Sequence, residues 1–380
     1  MPLIAVAFLA AALLTLTLGW FELRHWRKSV GAHWTERARQ LYPARAFRGS
    51  AALFSAATIT LAAHLYAREA FWPMLAGAAY FGAILGLYPL DRVLLPGIRF
   101  VSWLHGVAAS LVLTFLGWGA LFLALVLMPR HGGGWTPVVV GGYVAIRMWI
   151  AFGGNLTLLR LLRVMRPAPP AVQAMARAAC AEAGVSVRAV WEFRDLSANA
   201  LAFTATRELG YTSTLLAEAP MDELRAITEH EIAHLREGRA LLAGRLLSDF
   251  ATLPVIFWFP ALEAVGPWGP IGLLAAVWAL YLARKQLVRW LERRADQGAL
   301  HQLGDGATYA RALERLHRIN RIPAVTKRSV LATHPNLYDR MVAAGVTPDY
   351  PRPEPPDLQP WSLSLLSGVS TLMLLVLFNI

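Results

Sequence analysis

The sequence predicts an α-helical polytopic membrane protein with about eight transmembrane helices and a cytoplasmic α+β domain that two of these helices divide. Three observations lead to this prediction. Of the 380 residues, 56% are hydrophobic and only 16% are charged, whereas soluble proteins carry about 25% charged residues. Several apolar runs reach the roughly 20 residues needed to cross a bilayer. Between these runs lie helical and alternating patterns that are typical of a folded soluble domain.

Five apolar spans make up the predicted N-terminal membrane region, residues 1–156. We place them at about 2–21, 51–67, 71–90, 101–128 and 136–156. A basic loop follows the first span and no basic residues precede it, so we expect a retained helix and not a cleaved signal peptide. Arg147 lies near the middle of the fifth span, where a charge is costly. It faces a water-filled cavity or a substrate path, or else it has a buried partner or the span is shifted by a few residues.

The distribution of basic residues predicts the orientation in the membrane. The net charge of +12 fits basic loops beside anionic lipid better than a nucleic-acid binder, so we expect no nucleic-acid partner. Loops 22–50 and 91–100 together carry nine Lys and Arg residues. The positive-inside rule then puts the N-terminus outside and the soluble domain in the cytoplasm. Arg far outnumbers Lys, which is typical of GC-rich bacterial genomes, and we therefore expect the bacterial inner membrane.

The rest of the chain divides into four parts: a first soluble segment, two more spans, a second soluble segment, and a linker with an eighth span. These parts are 157–242, 243–286, 287–349 and 350–380. In the first segment, a linker at 167–170 precedes a helix at 171–183 and strands at about 187–193, 199–206 and 210–214. Pro220, followed by acidic residues, then begins a second helix. The two central spans are at about 246–265 and 268–285, and the eighth is at 363–380. Arg245 and Asp249, near the start of the first of these spans, form either a local ion pair or an interfacial pair of charges.

The second helix carries a metal-binding pattern, with His230, Glu231 and His234 in the spacing H-E-x-x-H. Residues four apart share one face of an α-helix, so the two imidazoles can hold one Zn²⁺. Glu231 can then reach a water molecule on that ion. The pattern is moderately specific by itself, because chance produces it in on the order of one sequence in a hundred of this composition.

A catalytic zinc site usually takes a third protein ligand. After the paired spans the chain returns to the same membrane face with Glu292 and Asp296, which are four residues apart. Glu292 would bind the metal, and Asp296 would accept a hydrogen bond from the second nitrogen of a ligand histidine. On spacing alone, an exposed helix in which these acids pair with Arg293 and Arg294 fits equally well. Cys180 is the only cysteine, which excludes a disulfide within the chain and a thiolate zinc site.

The order H-E-x-x-H, two membrane spans and E-x-x-A-D resembles that of the membrane zinc peptidases, the family that includes HtpX and the type-1 CAAX prenyl protease. Two further stretches, 197–203 (SANALAF) and 332–340 (ATHPNLYDR), resemble the family's A-N-A-F and S-T-H-P…R-I segments. The resemblance covers about 165–345. Five spans before the zinc helix are more similar to the CAAX protease than to HtpX, which has two.

The resemblance implies roles for individual residues. Glu292 would be the third zinc ligand, and Asn199 would hold the substrate backbone beside an edge strand. His334 would donate a hydrogen bond to the oxyanion, and Arg340 would brace its loop or bind a substrate carboxylate. The alternatives are a turn-forming Asn199, a capping or surface His334 and a solvated Arg340.

The resemblance therefore implies a membrane-embedded zinc metalloendopeptidase with one Zn²⁺ per chain. Its partners would be the lipid bilayer and polypeptide substrates, which would be membrane-associated or misfolded proteins cleaved at the cytoplasmic face. Within the enzyme class, the alternative substrate is a prenylated C-terminus. From another class, a transporter or a non-catalytic metal-binding scaffold is the alternative, although an intact Glu231 beside the histidine pair argues against a degenerate site.

Overall fold

The structure is a computed structural model, and it describes all residues except 1, 68–71, 132, 195–196, 328–334 and 358–380. Most of the described residues are helical, and the helices are joined in places by two π-helical segments, Leu111–Phe115 and Ile150–Gly154, and one 3-10 segment, Leu253–Phe257. The helices in chain order are α1 Pro2–Glu22, α2 Arg24–Lys28, α3 Trp34–Ala67, α4 Trp72–Leu85, α5 Leu87–Leu94, α6 Phe100–Ser110, α7 Leu116–Leu127, α8 Thr136–Trp149, α9 Asn155–Leu161, α10 Pro170–Glu182, α11 Ser213–Glu218, α12 Met221–Leu235, α13 Arg239–Asp249, α14 Trp258–Val265, α15 Trp268–Leu303, α16 Gly306–Asn320 and α17 Leu337–Ala343.

A small four-stranded sheet lies between α9 and α11. Its strands are β1 Met165–Pro167, β2 Ala189–Phe193, β3 Ala200–Phe203 and β4 Glu208–Thr212. The strands lie in the order β1-β2-β4-β3, with β2 and β4 parallel and the other two pairs antiparallel. Strand β3 is therefore an edge strand. Strand β1 ends at Pro167, the first residue of the segment 167–170 that was expected to be a linker.

Several helices are long and apolar enough to cross a membrane, as the sequence predicts. Among the described residues there are five such helices, or six if the bent pair Phe100–Leu113 and Leu116–Leu127 forms one span. The predicted span at 246–265 is not a single helix, since it is broken into α13, the 3-10 segment and α14. Pro254, which has no backbone N–H to donate, lies at the break. The predicted eighth span lies outside the described residues.

Helix α3 differs from the polar connection that was expected over 22–50. It begins at Trp34 and runs for 34 residues, so a basic first half and an apolar second half form one helix. Arg, Glu and Gln are good helix formers, and Glu36 receives hydrogen bonds from Arg39 and Gln40 within this first half. A hydropathy reading detects only the apolar half of such a helix.

The contacts divide the chain into two compact units. Of the described residues, the first unit contains those within 1–103, 320–327 and 350–357, and the second contains those within 104–319 and 335–349. In the first unit, α1, α3 and α4 pack together. The second unit contains the sheet, helix α12 and helix α15, and a core around Leu156, Leu159 and Phe193 joins the last N-terminal helices to the sheet.

Arg147 lies in the second unit and is mostly buried. Its Nη2 donates a hydrogen bond of 2.5 Å to the backbone oxygen of Asp249, and the Asp249 carboxylate lies 3.9 Å away. Arg284 approaches the same carboxylate at 3.4 Å. Of the alternatives for Arg147, this arrangement matches the buried partner. The sequence allowed a local ion pair between Arg245 and Asp249. Among the described contacts, Arg245 pairs with Glu237, and Asp249 pairs with Arg147 and Arg284.

Candidate metal centre

Helix α12 presents the two histidines from a buried position. It begins directly after Pro220 and carries two acidic residues in its first turn, which favour the positive end of the helix dipole. The Tyr211 hydroxyl of β4 and the Thr228 hydroxyl of α12 lie 2.8 Å apart and form a buried hydrogen bond. This bond fixes α12 against the sheet one half-turn before His230.

Helix α15 brings Glu292 to the histidine-bearing helix. It runs without a break from Trp268 to Leu303, and Glu292 is buried on it together with Ala295 and Ala299. Small residues allow α12 and α15 to approach closely, since a Cβ added to Gly298 would lie 3.2 Å from the Cβ of Ala233. The E-x-x-A-D spacing therefore places a carboxylate opposite H-E-x-x-H.

His230, His234 and Glu292 form a buried three-residue group. Their ligand-type atoms all lie within 4.8 Å of one another. The Nε2 atom of His230 is 3.4 Å from Glu292 Oε2, and the Nε2 atom of His234 is 3.7 Å from Glu292 Oε1. Two donors that each bind a tetrahedral Zn²⁺ at about 2.0–2.1 Å are roughly 3.3 Å apart. The two imidazoles and the carboxylate therefore fit a zinc ion in both type and spacing.

The outer nitrogen of His230 faces a buried hydrogen-bonded cluster. Its Nδ1 lies 3.1 Å from Asp296 Oδ1 and 3.0 Å from the Tyr309 hydroxyl, and that hydroxyl donates to Asp296 at 2.7 Å. Arg340 donates to both oxygens of Asp296, at 2.6 and 2.9 Å. A carboxylate that accepts from Nδ1–H leaves Nε2 as the metal-binding nitrogen.

The outer nitrogen of His234 faces a second carboxylate. Its Nδ1 lies 3.0 Å from Glu237 Oε1, and Arg245 donates to the two oxygens of Glu237 at 2.5 and 2.6 Å. Glu237 is 7% exposed although it follows the end of α12. Each ligand histidine is thus held by an acid, and each acid by an arginine.

Burial and these partners shift the ionisation of the site. Burial lowers the pKa of His230, yet its hydrogen bonds to Asp296 and Glu292 raise this pKa overall, to about 9. A metal ion therefore competes with a proton at His230. Burial opposes ionisation of Glu237, but hydrogen bonds from His234 and Arg245 hold its pKa below the usual range. Burial raises the pKa of Glu231, while the two histidines act in the opposite direction.

Glu231 lies between the metal-binding group and the edge strand. It follows His230 on α12, and β3 packs against this helix. A hydrogen bond from the backbone of Ala202 in β3 reaches the Glu231 carboxylate. The base suggested by the sequence therefore stands beside β3, one of the two edge strands of the sheet.

Asn199 fixes the beginning of the edge strand. Its backbone N–H donates to the Thr212 hydroxyl at 2.9 Å, and its side-chain oxygen accepts from the Ala200 N–H at 3.0 Å. The Thr212 N–H in turn donates to the Asn199 carbonyl at 2.9 Å. These contacts match the turn-forming alternative, and they also place Asn199 at the strand edge that the substrate-binding prediction requires.

Three predicted site residues remain: Asp296, Arg340 and His334. Asp296 contacts His230, as expected, whereas Arg340 is buried against Asp296 and Tyr309 and is not a solvated charge. His334 lies outside the described residues. The sequence reading missed Glu237, Tyr309 and a structural partner for Arg245. None of these contacts had a local signal, because Glu237 lies past the end of α12 and the other contacts join separate elements of the chain.

Comparison with known proteins agrees with this geometry. Residues 169–345 match the sequence profile of peptidase family M48, the family of HtpX and the CAAX protease. No curated protein sequence matches the chain. The matched range contains the HExxH helix, Glu292 and Asp296, so the family resemblance that the sequence predicts is confirmed for this part of the chain. Residues 169–345, slightly less than half of the chain, therefore match peptidase family M48, a family of metallopeptidases, and the chain also has several helices that are long and apolar enough to cross a membrane.

Proposed function

We propose that the chain is a membrane-embedded zinc endopeptidase that hydrolyses peptide bonds of membrane-associated or misfolded proteins at the cytoplasmic face. The observation that carries this proposal is the arrangement of the histidines. Both Nε2 atoms point toward Glu292, at 3.4 and 3.7 Å, while both Nδ1 atoms are held by acids at 3.0–3.1 Å. Such outward hydrogen bonds fix the tautomer that leaves Nε2 free to bind a metal.

His230, His234 and Glu292 would hold one zinc ion per chain. When bound, zinc acts as a Lewis acid that polarises the scissile carbonyl and lowers the pKa of a water molecule toward 7. The buried position of the three ligands keeps competing water away from the reacting atoms. The charge of Glu292 offsets half of the charge of a divalent ion in this buried setting.

Glu231 would move the proton. Its carboxylate accepts a proton from the attacking water as the new C–O bond forms, and it then gives this proton to the leaving nitrogen as the C–N bond breaks. Burial raises the pKa of Glu231, which favours a group that must both take up and release a proton near neutral pH. By resemblance to the family, His334 would donate a hydrogen bond to the oxyanion.

The substrate would bind in an extended conformation along β3. An edge strand can pair with another chain along its outer side. At β3 the incoming chain would replace the hydrogen bonds that the Ala200 and Ala202 N–H groups make to the Asn199 side chain and the Glu231 carboxylate. Asn199 at the start of β3 and Glu231 behind it would then flank the same stretch of substrate. The membrane helices would hold this site at the cytoplasmic face, with the N-terminus outside, as the distribution of basic residues favours.

The experiment is to purify the full chain in detergent and to measure its zinc content and its cleavage of an unfolded membrane protein. We expect about one zinc per chain. Glu231→Gln should retain this zinc and lose cleavage by about 10²–10⁴-fold, which is the contribution typical of a general base. Glu218→Gln, a matched change at an exposed glutamate of α11, should leave both quantities unchanged.

Two results would contradict the proposal. A Glu231→Gln protein with undiminished cleavage would exclude Glu231 as the base. A wild-type protein that cleaves the substrate equally well after complete removal of zinc would exclude the metal site. Cleavage of a farnesylated peptide in preference to the unfolded membrane protein would retain the chemistry and replace the proposed substrate class with prenylated C-termini.

A further inference from the structure

Glu237 is buried without being part of the H-E-x-x-H or E-x-x-A-D motif. It is the second residue after α12, and its side chain folds back onto His234 and not into solvent. Its side chain is only 2% exposed. Burying a carboxylate costs several kcal/mol unless charged partners compensate for the lost hydration. Neighbouring groups must therefore stabilise the negative charge of Glu237.

Arg245 supplies that stabilisation. Its Nε donates to Glu237 Oε2 at 2.6 Å and its Nη2 to Glu237 Oε1 at 2.5 Å. This two-pronged contact fixes the plane of the carboxylate as well as its position. Arg245 lies on α13, so the pair also closes the turn between α12 and α13.

The Glu237–Arg245 ion pair determines which ring nitrogen of His234 carries the proton. Both oxygens of Glu237 accept from Arg245, so in its 3.0 Å contact with Glu237 the Nδ1 of His234 is the donor. Nε2 is then deprotonated and directed toward Glu292. Arg245 Nη2 lies only 3.4 Å from the same Nδ1, and without Glu237 this arginine would favour the opposite tautomer.

We infer that Glu237 and Arg245 are positioning residues that hold His234 in the metal-binding tautomer and orientation. Glu237 acts directly on His234, and Arg245 acts through Glu237. On the other side of the group, Asp296 and Arg340 stand in the same relation to His230. The inference rests on the proposed metal site and adds a second acid–arginine pair to it.

The test measures zinc affinity of the full chain in detergent by competition with a chromophoric chelator. Glu237→Ala should weaken zinc binding by about 10–100-fold, the usual effect of removing a carboxylate that orients a histidine ligand. Arg245→Met should weaken it less, and in a Glu237→Ala background it should have no further effect. Arg236→Ala, at the exposed neighbouring position, is the matched control and should bind zinc like the wild type.

A second measurement separates positioning from folding. Cobalt(II) bound in place of zinc has a visible spectrum that depends on ligand geometry, and we expect Glu237→Ala to change it. Glu237→Gln keeps an acceptor for Nδ1–H and should retain most of the wild-type spectrum. If Glu237→Ala does not fold, Arg245→Met takes its place, because it removes the cation that holds Glu237. Zinc affinity within twofold of wild type in Glu237→Ala, or in Arg245→Met where Glu237→Ala does not fold, would overturn the inference. A wild-type protein that binds no zinc would instead overturn the proposed function.

Discussion

Replacement of Arg340 by methionine should strongly destabilise the catalytic domain. Arg340 donates two hydrogen bonds to Asp296 and one, of 3.1 Å, to the Tyr309 hydroxyl. Methionine fills much of the space of the arginine stem and removes all three donors. Asp296 would then remain buried beside His230 and Tyr309 without the guanidinium that contacts both of its oxygens.

The size of the effect follows from burial. The Arg340 and Asp296 side chains are 9% and 15% exposed, so solvent screens their interaction little. Removal of one partner from a buried ion pair costs about 3–5 kcal/mol. For a domain of 150–250 residues, each kcal/mol corresponds to about 2–4 °C in Tm, so we expect Tm to fall by roughly 6–20 °C.

Thermal unfolding of the metal-free protein, followed by intrinsic fluorescence at a fixed scan rate, measures this shift. Arg318→Met is a suitable control because the Arg318 side chain, which pairs with Glu314 one helical turn away, is 59% exposed, and it should lower Tm by less than about 3 °C. Arg340→Met combined with Asp296→Asn should be less destabilised than the sum of the two single changes. A Tm for Arg340→Met equal to that of the control would refute the reasoning.

Three further results are expected. Burial raises the pKa of the Cys180 thiol to about 11, so at pH 8 iodoacetamide should label Cys180 only in unfolded protein; rapid labelling of the native chain would contradict this. Gly210→Ala should destabilise the sheet by about 1–3 kcal/mol, measured by chemical denaturation, because its Cβ would lie 2.0 Å from the Phe193 ring. Gly298→Val should separate α15 from α12 and weaken zinc binding in the chelator assay. Gly272→Val is the control, because a Cβ at Gly272 meets nothing within 4 Å, and it should leave the zinc affinity unchanged. Equal zinc affinities of the two variants would argue against the close contact of α12 and α15.

Much of the soluble fold was predictable because its elements carry their own end signals. Helix α12 starts after Pro220, and α10 ends shortly before Gly184, which has the positive φ of +68° that favours glycine. Strand β1 was not predictable. It is three residues long and ends in proline, so no alternation can be read from it, and only its pairing with β2 makes it a strand.

The metal-binding group was more predictable than its surroundings. Residues four apart on a helix share a face, and this rule alone brings His230 and His234 together. Glu237 lies past the end of α12, where helical spacing no longer gives the direction of a side chain. Tyr309 reaches His230 from α16, and a contact across 79 residues leaves no trace in any local pattern.

Helix α15 carries Glu292 of the metal-binding group and an apolar candidate membrane span in one unbroken helix. At 1.5 Å per residue, Glu292 lies roughly 21 Å along the axis from Trp278 in the apolar half of the helix. A tilt of about 5° around that point would shift the carboxylate by roughly 2 Å, a distance comparable to a whole zinc–ligand bond. Because a membrane helix can tilt to accommodate a mismatch with the bilayer thickness, we expect the geometry of the metal-binding group to respond to the thickness of the surrounding bilayer.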